Sequence, residues 1–212
     1  MDPEELRQRL EAARLYLVTD GRGGGAALRD FLDAVLGAGI DIIQLREKEQ
    51  EARQILDLAE VFRDRCDAHD VPFIVNDRAD VALAARADGV HLGQDDLPVE
   101  EARRILGRYP IVGRSTHDAG QLRCALDEEV DYVVAGPVHV TPTKPGRPAA
   151  GIDLIRLAAT TATKPWFAIG GIDLETIGGV RAAGASRVVV VRAITTAADP
   201  AGAVKELSAA LD

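Results

Sequence analysis

Aromatic residues are scarce, at 4% of a 212-residue chain, while Ala, Val, Leu, Ile and Gly dominate a composition that is 47% hydrophobic. Such a mixture suits buried parallel strands covered by Ala-rich helices. Only two cysteines occur, Cys66 and Cys124, both inside helical patterns, which excludes a disulfide framework and a cysteine metal site. Both are predicted to be buried or half-buried inert thiols. Positive charge is in deficit, with a net charge of −9. A general attraction to nucleic acid or to an anionic membrane is thereby excluded, and a phosphorylated substrate would need a local positive pocket. No apolar run approaches the ~20 residues of a membrane-spanning helix. The first residues include Asp2, Glu4 and Glu5 with no apolar leader, so a cytoplasmic location is expected. There is no Walker loop or nucleophile elbow, and Gly21-Arg22-Gly23-Gly24-Gly25 lacks the dinucleotide-binding layout.

What remains is a regular alternation. Short apolar runs at 15–19, 41–45, 73–75, 89–92, 111–114, 132–135, 166–169 and 187–191 read as strands buried on both faces. Amphipathic stretches at 51–69, 99–106, 119–128, 152–162 and 200–211 read as helices, with a further helix at 3–13 ahead of the first strand. Eight such units predict a single-domain (β/α)₈ barrel over residues 1–212, of the TIM type, with a short extra N-terminal helix. A weak repeat supports the closed form: Ala38-Gly39-Ile40-Asp41, Ala85-Arg86-Ala87-Asp88, Glu129-Val130-Asp131 and Ala183-Gly184-Ala185-Ser186 each end a helix and enter an even-numbered strand. Asp41, Asp88 and Asp131 then fall at strand starts, the stability face, and are structural.

Chemistry in this fold gathers at strand C-terminal ends. Those positions hold Gln44, Arg46 and Lys48, then Asn76 and Asp77, then Gln94, Asp95 and Asp96, then Arg114, Ser115 and His117. The long loop 136–150 carries Thr141, Thr143, Lys144 and Arg147; Gly170-Gly171 and Val191-Arg192 follow the last two strands. Arg46, Lys48, Arg114, Lys144, Arg147 and Arg192 form a set of cations able to face one mouth. Gly170-Gly171, read as opening a helix, and the turn after strand eight would suit a phosphate. Asp77 and Asp96 end neighbouring strands and could share a hard cation such as Mg²⁺, although each could instead cap the helix that follows, and Asp95 is a rival ligand. Among the histidines, His69 reads as a solvated helix end, His91 as a hydrogen-bonded core residue, and His117 as the candidate for acid–base work.

Several of these segments resemble the thiamine-phosphate synthase family: Leu15-Tyr16-Leu17-Val18-Thr19-Asp20, Gln44-Leu45-Arg46-Glu47-Lys48, Phe73-Ile74-Val75-Asn76-Asp77-Arg78, Gly93-Gln94-Asp95-Asp96, Ser115-Thr116-His117, Thr141-Pro142-Thr143-Lys144 and Ala168-Ile169-Gly170-Gly171-Ile172. The resemblance runs in order from the first strand to the last. It implies a (β/α)₈ enzyme joining hydroxymethylpyrimidine diphosphate, an aminopyrimidine, to a carboxythiazole phosphate, releasing diphosphate and carbon dioxide. It also implies a dissociative reaction through a pyrimidine-stabilised carbocation. By resemblance, Gln44, Arg46, Lys48, Asn76, Ser115 and Lys144 form the pyrimidine diphosphate site, with Arg46, Lys48, Ser115 and Lys144 catalytic. Asp77 and Asp96 become the ligands of one Mg²⁺, while Thr141, Thr143, Gly171, Val191 and Arg192 hold the thiazole phosphate. His117 is then a bystander. Arg114 stands where an apolar residue is common in that family, and Arg192 where a Ser is frequent. A thiazole tautomerase using His117 and a non-catalytic thiamine-phosphate-binding barrel are the alternatives; the joint presence of Gln44, Asn76, Asp77, Asp96 and Lys144 counts against the first, and an intact acidic pair with Lys144 against the second. A homo-oligomer is left open.

Overall fold

The computed structural model describes residues 1–140 and 149–212. Parallel strands β1 (Leu15–Thr19), β2 (Ile42–Leu45), β3 (Phe73–Asn76), β4 (Gly89–Leu92), β5 (Ile111–Thr116), β6 (Tyr132–Ala135), β7 (Trp166–Ile169) and β8 (Val188–Val190) close into a barrel in sequence order, β8 pairing back onto β1. Around it run α1 (Pro3–Ala12), α2 (Gly25–Gly37), α3 (Ala52–His69), α4 (Ala79–Ala84), α5 (Val99–Leu106), α6 (Ala119–Asp127), α7 (Gly151–Thr161), α8 (Ile177–Ala182), α9 (Arg192–Thr195) and α10 (Pro200–Leu211). The predicted (β/α)₈ architecture is the observed one. In the sequence reading α2, α4 and α8 appear only through the helix ends at Ala38, Ala85 and Ala183, without full ranges, and α9 has no counterpart. Three of them are six residues or shorter, and α2 follows glycines in positive φ with no side-chain cap. β5 runs two residues further than expected because Ser115 and Thr116 keep pairing with Val134 and Ala135.

Strand alternation divides the core in two. One set of side chains, including Leu17, Ile43, Val75, Leu92 and Val133, meets the helices. The other set, Tyr16, Val18, Ile42, Ile74, Ile111, Tyr132, Val134, Phe167 and Val189, fills the barrel. Leu6, Leu10 and Ala13 pack onto that inner set, so α1 plugs the N-terminal end and leaves the opposite end as the mouth. Asp2 caps α1 by accepting from the N–H groups of Glu4 and Glu5.

The acidic repeat has a concrete function at the plugged end. Asp41 accepts from the N–H groups of Arg14 and Leu15, both at 2.8 Å. Asp88 accepts from Phe73 N–H at 2.8 Å and from the Arg63 guanidinium at 2.7 Å. Asp131 accepts from Val112 N–H at 2.7 Å and from Arg103. Each carboxylate opening an even strand thus satisfies an N–H in the first two residues of the odd strand before it, a group that would otherwise be an orphan donor.

Two local expectations need correction. Cys66 is buried, and burial pushes its thiol up, but Cys124 is exposed on α6. His69 is not a bare helix end: its Nε2 lies 3.0 Å from Asp33 Oδ1, which ties α3 to α2.

Replacing Asp88 with Ala strips Phe73 N–H of its acceptor and leaves Arg63, only 12% exposed, without that carboxylate. We expect a loss of about 2–4 kcal/mol in urea unfolding, with activity retained below the transition. A change under about 0.5 kcal/mol would reject the strand-start role.

Candidate active site

The mouth has two connected parts. Tyr16, Gln44, Arg46, Asn76, His91 and Ser115 line a small polar chamber with Val18, Val134, Ile169, Val189 and Val191. All come from inward-facing strand positions or the residue just beyond a strand. A larger cavity of about 600 Å³ adjoins it, lined by His117, Gly136, Pro137, Gly170, Gly171, Asp173, Val191 and Arg192 among others. Ile169, Val189 and Val191 form part of both walls, so the two spaces meet there.

Two unsatisfied groups mark the chamber as built for a polar ligand. The buried Asn76 Nδ2 has no hydrogen-bond partner among the described residues. Leaving such a donor dry is costly unless something else completes it. The Arg46 side chain likewise has no hydrogen bond or ion pair among the described residues, and it faces the same space.

The acidic pair lies on the rim. Asp77 follows β3 in left-handed backbone conformation, φ 63°, fixed by the bond from its N–H to His91 O at 2.8 Å. Non-glycine residues held there cost energy and cluster at functional sites. Neither Asp77 nor Asp96 caps a following helix: α4 and α5 have Arg78 and Pro98 at their N-caps, without side-chain capping. The Asp96 carboxylate accepts from Gly93 N–H at 2.7 Å and hydrogen-bonds the Asp77 carboxyl, which also contacts Lys48 Nζ. Burial first, then the hydrogen bond and charge of Asp96, push the Asp77 carboxyl up to about 6, with Lys48 pulling the other way. Burial pulls Asp96 upward too, but the Asp77 hydrogen bond, the Gly93 N–H and the Lys48 charge outweigh it and hold Asp96 below the usual range. Two carboxylates in contact repel when both are ionised, and a proton or a cation relieves that repulsion. Asp95 is exposed and takes no part in the pair.

Not every strand-end cation faces the mouth. Arg114 was expected among them, but it sits between the inward Gly113 and Ser115 and turns outward. Its guanidinium donates to Gly93 O at 2.8 Å and lies 3.5 Å from Glu128. Arg192 is exposed at the rim of the larger cavity. Thr141, Thr143, Lys144 and Arg147 lie outside the described residues. The glycine pair also needs correction: α8 starts at Ile177, not at Gly171, and Asp173 already accepts from the N–H groups of Glu175 and Thr176. Instead the pair makes room for the loop after β6. A Cβ on Gly170 would lie 2.5 Å from Pro137 Cα, and one on Gly171 2.8 Å from His139 Cβ. His117 points its Nδ1 at Gly136 O, 2.6 Å away, and lines the cavity wall.

Some functional neighbours were not singled out from sequence. Tyr16 and Tyr132 read as core, yet both hydroxyls join the chamber's hydrogen bonds. Gln94, already among the strand-end residues, donates to Ser115 O at 2.6 Å and steadies the end of β5. The available signal was parity: Tyr16, Gln44, His91, Ser115 and Tyr132 all occupy inward positions of their strands.

A closed parallel barrel with paired carboxylates, buried hydrogen-bonding side chains and an unopposed guanidinium at one mouth defines a TIM-barrel enzyme for an anionic substrate. Residues 15–194 match the profile of a family described as thiamine monophosphate synthase. The chain is 55% identical to a thiamine-phosphate synthase of Mycolicibacterium smegmatis, over 96% of this chain and 94% of that one. It is 56% identical to a thiamine-phosphate synthase of Thermobifida fusca, again over 96% and 94%. Among solved structures, a thiamine phosphate pyrophosphorylase from Pyrococcus furiosus superposes with a TM-score of 0.85 at 31% identity, covering 97% of both chains. The chain belongs to the thiamine monophosphate synthase family.

Raised above its unfolded value of 3.8, the Asp77 carboxyl favours the fold while protonated, and that contribution is lost as pH rises through about 6. Asp77→Asn keeps a residue that tolerates the left-handed backbone. In metal-free buffer at pH 7 it should therefore be more stable than the parent by about 1–2 kcal/mol, the gap closing toward pH 4. Thermal unfolding across that range checks this; a destabilised variant at pH 7 would contradict the strained pair.

Proposed function

We propose that this chain makes thiamine phosphate, as a transferase of thiamine biosynthesis, by joining hydroxymethylpyrimidine diphosphate to carboxythiazole phosphate at the barrel mouth. The carrying observation is the convergence of Gln44, Asn76 and Ser115 beside the Asp77–Asp96 pair, with Lys48 bridging toward it. The aminopyrimidine edge pairs with Gln44, Asn76 and Ser115, while Val134, Ile169 and Val189 offer apolar walls to its ring. The diphosphate extends toward the rim, where Arg46 and Lys48 meet its charge, joined by Lys144, which is assigned by family motif alone. The thiazole phosphate occupies the larger cavity, near Gly171, Val191 and Arg192; Thr141 and Thr143 are assigned to it by family motif alone.

The paired carboxylates fit Mg²⁺. They are hard oxygen donors held close together, and the charge conflict that helps raise the Asp77 carboxyl is one a divalent cation would relieve. Among the described residues no group of three or more His, Cys, Asp or Glu could hold a metal, so the chain would supply this pair and substrate or water would have to supply the rest. Bound there, Mg²⁺ supplies positive charge to the diphosphate as it departs. Arg46 and Lys48 add charge on the same side, so the bond between the pyrimidine methylene carbon and the diphosphate oxygen breaks with its electron pair leaving on oxygen. The aminopyrimidine ring stabilises the resulting cation, the apolar walls keep water from it, and the thiazole nitrogen, already in place, forms the new C–N bond. Loss of carbon dioxide from the thiazole completes the product. Ser115 acts as a hydrogen-bonding group and forms no covalent bond.

No described helix is long and apolar enough to cross a membrane. The phosphorylated substrates agree with work in the cytoplasm.

Purified protein given both phosphorylated precursors should form thiamine phosphate with Mg²⁺ and none with excess EDTA; no product with Mg²⁺ would reject the reading. Asp96→Ala should lower kcat/KM by about 100-fold or more, and Asp95→Ala by less than about fivefold. Equal losses would reject Asp96 as the ligand.

A further inference from the structure

A continuous chain of hydrogen bonds crosses the floor of the chamber. Gln44 Nε2 donates to Tyr16 Oη at 2.5 Å, and Tyr16 Oη lies 3.0 Å from Tyr132 Oη. Tyr132 Oη is 3.2 Å from His91 Nδ1, and His91 Nε2 is 2.9 Å from Ser115 Oγ. All five side chains are buried. Their geometry is locked by packing: His91 stacks on Tyr132 at 5.6 Å, and Phe167 meets both tyrosine rings edge-on. Gly113 leaves the room for this, since a Cβ there would lie 2.1 Å from Tyr132 Cζ.

The middle of this chain has a constraint that its ends inherit. Each hydroxyl has one proton to give, and a neutral imidazole has one N–H and one acceptor nitrogen. The distances allow two senses; in the first, Gln44 gives to Tyr16, Tyr16 to Tyr132, Tyr132 to His91 Nδ1, and His91 Nε2–H to Ser115. Gln44 Oε1 is then left as an acceptor and the Ser115 O–H as a donor. In the reverse sense every bond turns round: Ser115 becomes an acceptor and the flipped Gln44 amide a donor. With a neutral ring and every link made, the two senses favour opposite kinds at the two ends, although the Ser115 hydroxyl keeps an acceptor lone pair and the Gln44 amide a second N–H; a doubly protonated His91 would break the pattern by donating both ways.

We infer that the Tyr16–Tyr132–His91 chain is a positioning device that couples Gln44 to Ser115 and matches the pair to a heterocycle presenting one donor and one acceptor. The inference rests on the pyrimidine reading of the chamber and deepens it. An aminopyrimidine offers an amine as donor and a ring nitrogen as acceptor, the complement of the first sense. Removing its amine leaves the sense of the chain unselected, and the contact at Ser115 weakens without being touched. Tyr16, Tyr132 and His91 act through Gln44 and Ser115 and need not touch the ligand.

The test is a coupling measurement by calorimetry. The probes are the aminopyrimidine monophosphate and its analogue with hydrogen in place of the amine. The proteins are the parent, Ser115→Ala, Tyr132→Phe and the double variant. With Tyr132 present, the loss caused by Ser115→Ala should differ by about fivefold or more between the two ligands. With Tyr132→Phe that dependence should fall within about twofold, although no atom touching the amine has changed. Tyr16→Phe, breaking the chain one link away, should do the same, and thermal unfolding verifies that both variants fold. Equal losses with both ligands in the parent background, coupling that survives Tyr132→Phe and Tyr16→Phe, or no binding of either probe would overturn the inference. A normal coupling in a protein that makes no thiamine phosphate would leave the chain standing and reject the reaction assigned above.

Discussion

Two carboxylates, Asp77 and Asp96, are held against one another at the ends of adjacent strands, and much of the mouth is organised around keeping them there. The backbone bends into a left-handed conformation at Asp77, and the amide of Gly93 anchors Asp96. Lys48 reaches across from the loop after β2 to offset part of the charge. The raised Asp77 carboxyl works against the isolated fold at neutral pH. Such stored strain has a use when a cation and an anionic substrate arrive together, because binding then relieves a conflict already present.

The opposite end of the barrel shows what the same residue type does when stability is the only demand. Asp41, Asp88 and Asp131 each meet strand N–H groups, and the latter two also meet a guanidinium. With α1 plugging that end, the three carboxylates are paired and Leu6 and Leu10 close the inner core. The mouth departs from this pattern at Asn76, Arg46 and the acidic pair. A rigid, satisfied base and a strained, incompletely satisfied rim divide the work along the barrel axis.

The barrel was legible because its strands are buried on both faces and so appear as eight uninterrupted apolar runs, with the acidic repeat marking every second strand start. The site was legible as a set of strand-end residues, but not which way each one points. Arg114 and Ser115 are neighbours in the sequence, yet one lies under the helices against Glu128 and the other faces the chamber. Only strand parity separates them, and a one-residue error in a strand boundary reverses it. Tyr16 and Tyr132 were hidden for a different reason: an amphipathic ring in an apolar run looks like core, and its hydroxyl partners come from strands distant in sequence. The positive φ of Asp77 and the outward shift of the α8 start are backbone facts that side-chain patterns do not encode. Thr141, Thr143 and Lys144 rest on motif alone, since they fall outside the described residues.

The acidic pair is the point on which the functional reading turns, and a crystal containing Mn²⁺ and diphosphate tests it most directly. Anomalous scattering should place the metal between the Asp77 and Asp96 carboxylates, with those two no longer hydrogen-bonded to each other and a diphosphate oxygen among the ligands. A metal bound elsewhere at the mouth, or none there with the two carboxylates still in contact, would contradict it.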